Sequence, residues 1–159
     1  MTLCSSALAK LYKLLRKCEL DYNSKCYKRR MDIHPSVKLG DVFISGNVSI
    51  KEGTYMNSGQ IITGSNSKVE IGEYCAIAEN VQIRARTHDI NNPTPPNHSI
   101  IEKDIIIGNH VWIGTNVYIR EGIRIGNHAI VGANSVVTKD VLAYTVVAGA
   151  PARMIKKLK

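Results

Sequence analysis

The sequence predicts an all-β fold, specifically a parallel β-solenoid, on three observations. From Ile105 onward, apolar or small residues fall in pairs two apart, and the pairs recur every six residues. Two apart is the spacing of side chains on one face of a strand, and a helix cannot hold such pairs on one face. A glycine follows several of these pairs, where the chain must turn a corner. Aromatic residues are only 6% of the chain, so the interior must be thin and aliphatic.

The repeat extends over most of the chain in two registers. The inward pairs of the first register are Val69/Ile71, Cys75/Ile77, Val81/Ile83, Ile105/Ile107, Val111/Ile113, Val117/Ile119, Ile123/Ile125, Ala129/Val131 and Ser135/Val137. A second register, offset by a short insert at 64–68, contains Val42/Ile44, Val48/Ile50, Thr54/Met56 and Gln60/Ile62. Each coil can bury its inward row only by stacking on the next coil, about 4.8 Å away. The sequence therefore predicts a one-dimensional stack of coils.

Two segments depart from the repeat. Residues 87–104 contain three prolines and three asparagines, and they predict a loop that leaves the coil. Within residues 1–30, leucines at helical spacing lie among basic residues and predict a helix. We expect a helical cap at 1–30, a solenoid at 31–152 with the loop 87–104, and a basic tail at 153–159. The helix would cover the open edge of the first coil, with peripheral membrane contact as the alternative.

Charge and composition narrow the function. The net charge of +8 is concentrated at the ends, with +6 in residues 1–30 and +4 in residues 153–159. Two basic patches of this kind are consistent with a phosphate-bearing cofactor and an anionic surface as ligands, and solubility is the alternative. The basic residues are not interleaved with aromatic ones along the repeat, and no nucleic-acid-binding motif is present. Lys10 and Lys13 interrupt the opening apolar stretch, and the four cysteines lack CxxC spacing, so we expect a cytoplasmic protein with free thiols.

The repeat resembles that of the hexapeptide-repeat acyltransferases, and within them the maltose, galactoside, nodulation-factor and capsule-type O-acetyltransferases. The residues that carry the resemblance are the hydrophobic-glycine hexads, the stretch IIIGNHVWIGTNVYIREGIRIGNHAIVGANSVVTKDV and the ending VVAGAPARMIKKL. The resemblance implies a left-handed parallel β-helix of triangular cross-section with three hexads per coil. It also implies a homotrimer with active sites between subunits, acetyl-CoA as co-substrate, a sugar or glycan acceptor, and no metal.

The resemblance also implies roles for particular residues. In those relatives one histidine at the start of a protruding loop is the general base, and the equivalent here is His88. Asn57 and Trp112 would contact the acceptor and the acetyl-CoA channel. The residues expected along the coenzyme are Thr115, Ala133, Thr138, Lys139, Arg153 and Lys156.

The chemistry of acetyl transfer agrees with a histidine at position 88. Moving an acetyl group from a thioester to a hydroxyl requires removal of the hydroxyl proton, and an imidazole is mostly neutral, and therefore basic, near pH 7. No covalent intermediate is needed. His110 and His128 are 18 residues apart, one coil, and each follows Gly-Asn, so we expect a stacked outward pair there.

Two other functions remain open on the sequence. Zinc chemistry occurs on the same type of helix in γ-class carbonic anhydrases, but their His-x4-His spacing is absent, because Thr115 follows His110 by five residues and Ala133 follows His128 by five. The alternative to sugar O-acetylation is a xenobiotic, for example antibiotic, acetyltransferase or an amino-sugar N-acetyltransferase. The xenobiotic and amino-sugar acetyltransferases use the same acetyl donor as the sugar O-acetyltransferases, so the sequence leaves the acceptor undetermined.

Overall fold

A computed structural model describes residues 2–89 and 99–159 of the chain, so the middle of the predicted loop, residues 90–98, lies outside the described residues. Helix α1 is Thr2–Arg30. The strands are β1 (Asp32–Ile33), β2 (Lys38–Ser45), β3 (Asn47–Ile50), β4 (Tyr55–Ile62), β5 (Lys68–Ile71), β6 (Ala76–Ile77), β7 (Val81–Arg84), β8 (Arg86–His88), β9 (Ile100–Glu102), β10 (Ile105–Ile107), β11 (Trp112–Ile113), β12 (Tyr118–Ile119), β13 (Arg124–Ile125), β14 (Ile130–Val131), β15 (Val136–Val137), β16 (Thr145–Ala148) and β17 (Arg153–Lys157).

Successive coils build three parallel faces. The first face contains β1, β3, β5, β10 and β13. Strand β4 turns a corner, so its start pairs with β6 and its end pairs with β7. The second face continues from β6 through β11, β14 and β16, and the third from β7 through β12 and β15. Only two strand pairs in the described chain are antiparallel, β8 with β9 and β16 with β17.

The interior is a set of aliphatic rows, as the repeat predicts. In the first register every inward residue is buried, including Cys75 and Ser135. Ile107 pairs with Ile71 although 36 residues, the length of two coils, separate them. The segment that leaves the solenoid takes up the length of one coil, so the register of the repeat is unchanged. Isoleucine supplies most of the largest fully buried side chains, which suits the flat β surface between coils.

One inward pair was predicted wrongly. Gln60 and Ile62 are only half-buried, and Ile61 is the buried residue, in register with Ile83. The corner between Met56 and Gly59 has two residues, where the next coil uses three, so the register advances by one. Gly59 then occupies the position of Val81, at φ +133°. A β-carbon there would overlap the Val81 carbonyl oxygen, so the shorter corner requires glycine.

The end of helix α1 covers the first coil, whereas its middle remains exposed. Tyr27 and Met31 pack against the core, and the Tyr27 hydroxyl accepts a hydrogen bond of 3.4 Å from the edge N–H of Ile44. Arg16 joins the helix to β2 through an ion pair with Asp41. The leucines at helical spacing are not buried in the protomer, since Leu8, Leu11, Leu14 and Leu15 are all more than half exposed. None of the described helices is long and apolar enough to traverse a bilayer.

Candidate active site

His88 lies in an arm that leaves the third face and is formed by the paired strands β8 and β9. Strand β7 ends at Arg84, and β8 then pairs with β9 so that His88 is opposite Ile100. The N–H of Asp89 donates to the Ser99 carbonyl at 2.8 Å, which extends the ladder by one residue. The ends of the predicted loop are therefore two strands held together by backbone hydrogen bonds. They place the imidazole on the surface beside the coil.

A cavity of about 410 Å³ opens beside His88. Its lining comes from the arm, from the end of β7 and from the following coil: Arg84, Arg86, Thr87, His88, Ile100 and Tyr118. Tyr118 belongs to β12, which is in register with Gln82 of β7. An imidazole, two guanidinium groups and a phenol thus converge on one open space large enough for a sugar.

The sequence did not single out the two arginines or the tyrosine of this cavity. The Arg84 guanidinium donates to the side-chain oxygen of Gln60 at 2.8 Å and of Gln82 at 3.3 Å. These three residues point outward from two adjacent strands, β4 and β7. The signal for them in the sequence is only that they alternate with the buried pairs.

Asn57 lies at a different corner, where β4 passes from the second face to the third. Its amide donates to one Glu79 carboxylate oxygen at 2.9 Å, and the Thr115 hydroxyl donates to the other at 3.0 Å. Asn57, Glu79 and Thr115 come from three successive coils, so a single carboxylate bridges the corner. Hydrogen bonds from its own backbone N–H, from Asn57 and from Thr115 lower the pKa of Glu79. Glu79 was not predicted as a site residue.

Ala133 continues the same corner into the next coil. Gly114 lies against it, since a β-carbon on Gly114 would be 2.6 Å from the Ala133 backbone nitrogen. The N–H of Asn134 donates to the Thr115 carbonyl at 2.8 Å. Thr115 and Ala133 therefore lie at the same corner in consecutive coils, and Asn57 and Glu79 lie at this corner in the two preceding coils.

Trp112 lies in an outward row on the second face. Its side chain is 56% exposed, as expected for a ring too large for the interior. Strand pairing aligns Trp112 with Ile130, Ile130 with Val146 and Val146 with Lys156. Residues in register project to the same face, and three strand spacings separate Trp112 from Lys156 by about 14 Å. The exposed ring of Trp112 and the charge of Lys156 thus lie on one outward row, separated by the half-buried Ile130 and Val146.

The C-terminal basic residues form a strand, not a free tail. β17 pairs with β16, and the register shifts between Val146 and Val147. Arg153 is opposite Ala148 and Lys156 is opposite Val146, so the irregularity brings both basic side chains to the outward face although they are three residues apart. All five residues of β17 are exposed.

Thr138 and Lys139 follow β15 at the far edge of the third face. Val137 is in register with Ile119, and Ile119 with Ile83, so Thr138 lies two coils above Arg84 along that edge. Thr138 is half-buried and Lys139 is exposed. They are therefore on the His88 side of the third face, away from Thr115 and Ala133.

One protomer does not bring all of the predicted residues together. Glu79 precedes the third face and Arg84 ends it, and the three residue steps of β7 from Val81 to Arg84 extend about 10 Å. Asn57 bonds to Glu79 at the near edge, whereas His88 lies beyond Arg84 at the far edge. Within residues 2–89 and 99–159, no group of three His, Cys, Asp or Glu side chains is arranged to hold a metal ion.

Comparisons with curated proteins give related sequences. Residues 104–139 match the family model "Bacterial transferase hexapeptide (six repeats)". The galactoside O-acetyltransferase of Escherichia coli K12 is 36% identical over 112 residues, covering 70% of this chain and 55% of that protein. The polysialic acid O-acetyltransferase of Escherichia coli O1:K1 / APEC is 41% identical over 129 residues, covering 79% of this chain and 42% of that protein. The chain thus spans about half the length of these curated relatives.

Solved structures extend the similarity to the fold. The hexapeptide-repeat-containing acetyltransferase VCA0836 of Vibrio cholerae is 30% identical, with a TM-score of 0.72, covering 78% of this chain and 72% of that one. A galactoside acetyltransferase solved in complex with coenzyme A is 28% identical, with a TM-score of 0.74, covering 89% and 72%. The chain belongs to the hexapeptide-repeat acetyltransferase family. The predicted left-handed parallel β-helix is confirmed, with about five turns.

Proposed function

We propose that this protein transfers an acetyl group from acetyl-CoA to a hydroxyl of a sugar or glycan precursor. The observation that carries the proposal is the position of His88, whose imidazole lines a cavity at the edge of a hexapeptide-repeat β-helix. The sugar acceptor is supported by the name of the E. coli relative, a galactoside O-acetyltransferase. The donor is supported by the related structure that holds coenzyme A.

His88 acts as the general base in this proposal. Its ring nitrogen accepts the proton of the acceptor hydroxyl as the oxygen attacks the thioester carbonyl. The C–O bond forms, the C–S bond breaks, and the sulfur leaves as the thiol of coenzyme A after taking up a proton. No residue of the protein is acylated. His88 is exposed, so the acceptor reaches the imidazole without displacing a core side chain.

The second face suits a long, phosphate-bearing donor. When bound, acetyl-CoA supplies the activated acetyl group. Trp112, with its exposed ring, would lie beside the donor's acyl arm, and Thr115 and Ala133 would border the arm at the adjacent corner. Arg153 and Lys156 share the outward surface of β17 and would contact the phosphates, where charge-assisted hydrogen bonds are stronger than neutral ones. Thr138 and Lys139 would contact the donor from the His88 edge.

The proposed enzyme is a homotrimer. Asn57 and His88 lie at opposite edges of the third face, so both can act on one acceptor only if they come from different subunits. A cleft between subunits would set the His88 cavity of one protomer against the Asn57 and Glu79 corner of the next. Mixed refolding tests this arrangement: inactive His88→Ala and Asn57→Ala proteins should regain activity when refolded together. Hybrids that stay inactive while mass measurement shows trimers would contradict it.

We place the enzyme in the cytoplasm, with α1 in peripheral contact with the membrane. The exposed leucines of α1 lie among Lys10, Lys13 and Lys17 and give the helix apolar and cationic groups together. Binding to vesicles containing anionic lipid, and its loss in a Leu11→Ser, Leu15→Ser variant, would support this contact. Equal binding by the variant would argue against it.

Release of free thiol from acetyl-CoA tests the activity. The acceptor panel contains galactosides, other sugars, amino sugars and chloramphenicol, so it also tests the N-acetyltransferase and antibiotic alternatives. His88→Ala should lower kcat by about 10²- to 10⁴-fold while coenzyme A binding stays within twofold. His34→Ala, which changes an exposed histidine directly after β1, is the matched control. Full activity in His88→Ala would remove the base assignment.

A further inference from the structure

Two guanidinium groups share the cavity of His88. Arg84 is half-buried at the end of β7, and Arg86 is exposed two residues later on β8. Both side chains line the cavity together with the imidazole. A group bound next to His88 would therefore face two permanent positive charges, since arginine stays protonated at physiological pH.

Neither arginine forms an ion pair with a carboxylate among the described residues. Glu102 is opposite Arg86 in the β8–β9 ladder, but its carboxylate accepts a hydrogen bond of 2.6 Å from the Asn66 N–H. The sequence of residues 90–98, INNPTPPNH, contains no aspartate or glutamate that could compensate the charge.

Arg84 is also held in place. The side-chain oxygens of Gln60 and Gln82 accept from its guanidinium at 2.8 and 3.3 Å. Neutral amides orient the group without cancelling its charge. An arginine that served only solubility would need neither burial nor two side-chain acceptors, one of them on the neighbouring coil. A positioned guanidinium with its charge intact is the arrangement that recognises carboxylates and phosphates.

We propose that the acceptor sugar is anionic, with a carboxylate or phosphate bound by Arg84 and Arg86 while its hydroxyl faces His88. The inference rests on the proposed function and names the acceptor class for the same site. Arg84, oriented by the two glutamines, contacts the anionic group directly, and the exposed Arg86 adds positive charge at the opening of the cavity. Neutral sugars would lack the anion that these two residues bind.

Matched acceptor pairs test the proposal in the thiol-release assay. Galacturonate is compared with galactose, and glucose 6-phosphate with glucose, which also separates carboxylate from phosphate. The anionic member of at least one pair should have a kcat/KM at least about 10-fold higher, and the advantage should shrink as NaCl is raised. Equal rates for both members of each pair would overturn the proposal.

Arg84→Gln and Arg86→Gln then identify the groups responsible. Each change should raise KM for the preferred anionic acceptor by about 10- to 100-fold, the effect of one lost charge-assisted hydrogen bond. The kcat/KM ratio of the anionic to the neutral acceptor should fall by at least about 10-fold, while the affinity for coenzyme A stays within twofold. Arg124→Gln, an exposed arginine on the first face, is the control and should change nothing. Equal losses on neutral and anionic acceptors would indicate a structural role and contradict the proposal.

A binding measurement separates this inference from the proposed activity. If the protein releases no thiol with any acceptor, binding of galacturonate and of glucose 6-phosphate is measured directly by calorimetry. Binding that exceeds that of the neutral sugars and is lost in Arg84→Gln would support the anion site although the acetyl transfer had failed. Binding that is absent, or unchanged in the variant, would overturn the anion site as well.

Discussion

The rings of His110 and His128 stack on one corner of the helix, with their centroids 4.8 Å apart and their planes inclined by 10°. Tyr74 stacks on His110 at 5.5 Å and Tyr144 on His128 at 4.7 Å, so four rings from successive coils form a ladder. All four residues have φ between +51° and +57°. The outward pair predicted from the 18-residue spacing is confirmed, and its spacing is that of the coils.

The ring ladder should couple neighbouring coils energetically. Asparagine tolerates positive φ, so His110→Asn and His128→Asn remove the rings without adding backbone strain. Each change should lower the free energy of unfolding by about 1 kcal/mol. A double-mutant cycle in urea at fixed protein concentration should give a coupling of about 0.5–1.5 kcal/mol. Strictly additive losses would mean that the stacked rings do not stabilise each other.

The inward residues were predictable because burial imposes a strict pattern. Val117 and Ile119, or Val111 and Ile113, must alternate with outward neighbours in every coil. The error at Gln60 and Ile62 has a different origin. Corner length is a backbone property, and the two-residue corner before Gly59 leaves no trace in the apolar pattern.

The site was less predictable than the core. Resemblance indicated His88, but Arg84, Arg86 and Tyr118 face outward, where the repeat constrains no residue type. Glu79 was missed for the same reason, and its role is visible only when Asn57 and Thr115 from other coils lie on both sides of it. In the proposed trimer, Asn57 and His88 of one site would come from two subunits, an arrangement that the repeat pattern of one chain does not specify.

Glu79 should make the free energy of unfolding depend on pH. Hydrogen bonds from its own N–H, from Asn57 and from Thr115 hold its folded pKa below the ordinary value of 4.5. The stabilisation is therefore present above about pH 4.5 and is lost as pH falls through the lower folded pKa. Glu79→Gln should cost stability at pH 6–7 and progressively less toward pH 3, as measured by urea unfolding.

Glu73→Gln is the matched control for that experiment. Glu73 occupies the preceding corner of the same coil, and its carboxylate accepts no hydrogen bond from any residue that the structure describes. At pH 6–7 this variant should lose less stability than Glu79→Gln. A pH-independent loss in Glu79→Gln would show that the Glu79 carboxylate is not stabilised in the folded state.

Cys75 should be inert to thiol reagents. Burial, as the largest effect, raises the pKa of its thiol, and the sulfur donates to the Gly108 carbonyl at 3.1 Å. The reactive thiolate is therefore both scarce and shielded. In a variant that keeps only Cys75, reaction with an aromatic disulfide reagent at pH 8 should be at least about 100-fold slower than in one that keeps only Cys18, which is exposed. Equal rates in the folded proteins would contradict the buried assignment.

Gly59 should be far less replaceable than Gly149, although both have positive φ. In Gly149→Ala the β-carbon would make an ordinary van der Waals contact, 3.5 Å from the Pro151 carbonyl oxygen, so the change should cost only about 1–2 kcal/mol of backbone strain. Alanine at 59 adds a clash with the Val81 backbone and should cost at least about 3 kcal/mol. Thermal unfolding of the two variants makes the comparison. Similar losses would show that the coils can separate to admit the methyl group.

Arg153 should read the 3′-phosphate of coenzyme A. The register shift in β17 turns Arg153 and Lys156 to one face, and Lys156 lies in the outward row that contains Trp112. A guanidinium held on a strand can bind a phosphate through two N–H groups, whereas a lysine presents a single ammonium. Arg153→Ala should therefore weaken the binding of coenzyme A by about 10-fold or more but leave the binding of dephospho-coenzyme A nearly unchanged. Lys157→Ala, also exposed on β17 but opposite the buried Thr145, is the control. If Arg153→Ala weakened both coenzymes equally, the arginine would contact the pyrophosphate or act through the strand, and the 3′-phosphate would have to be bound elsewhere.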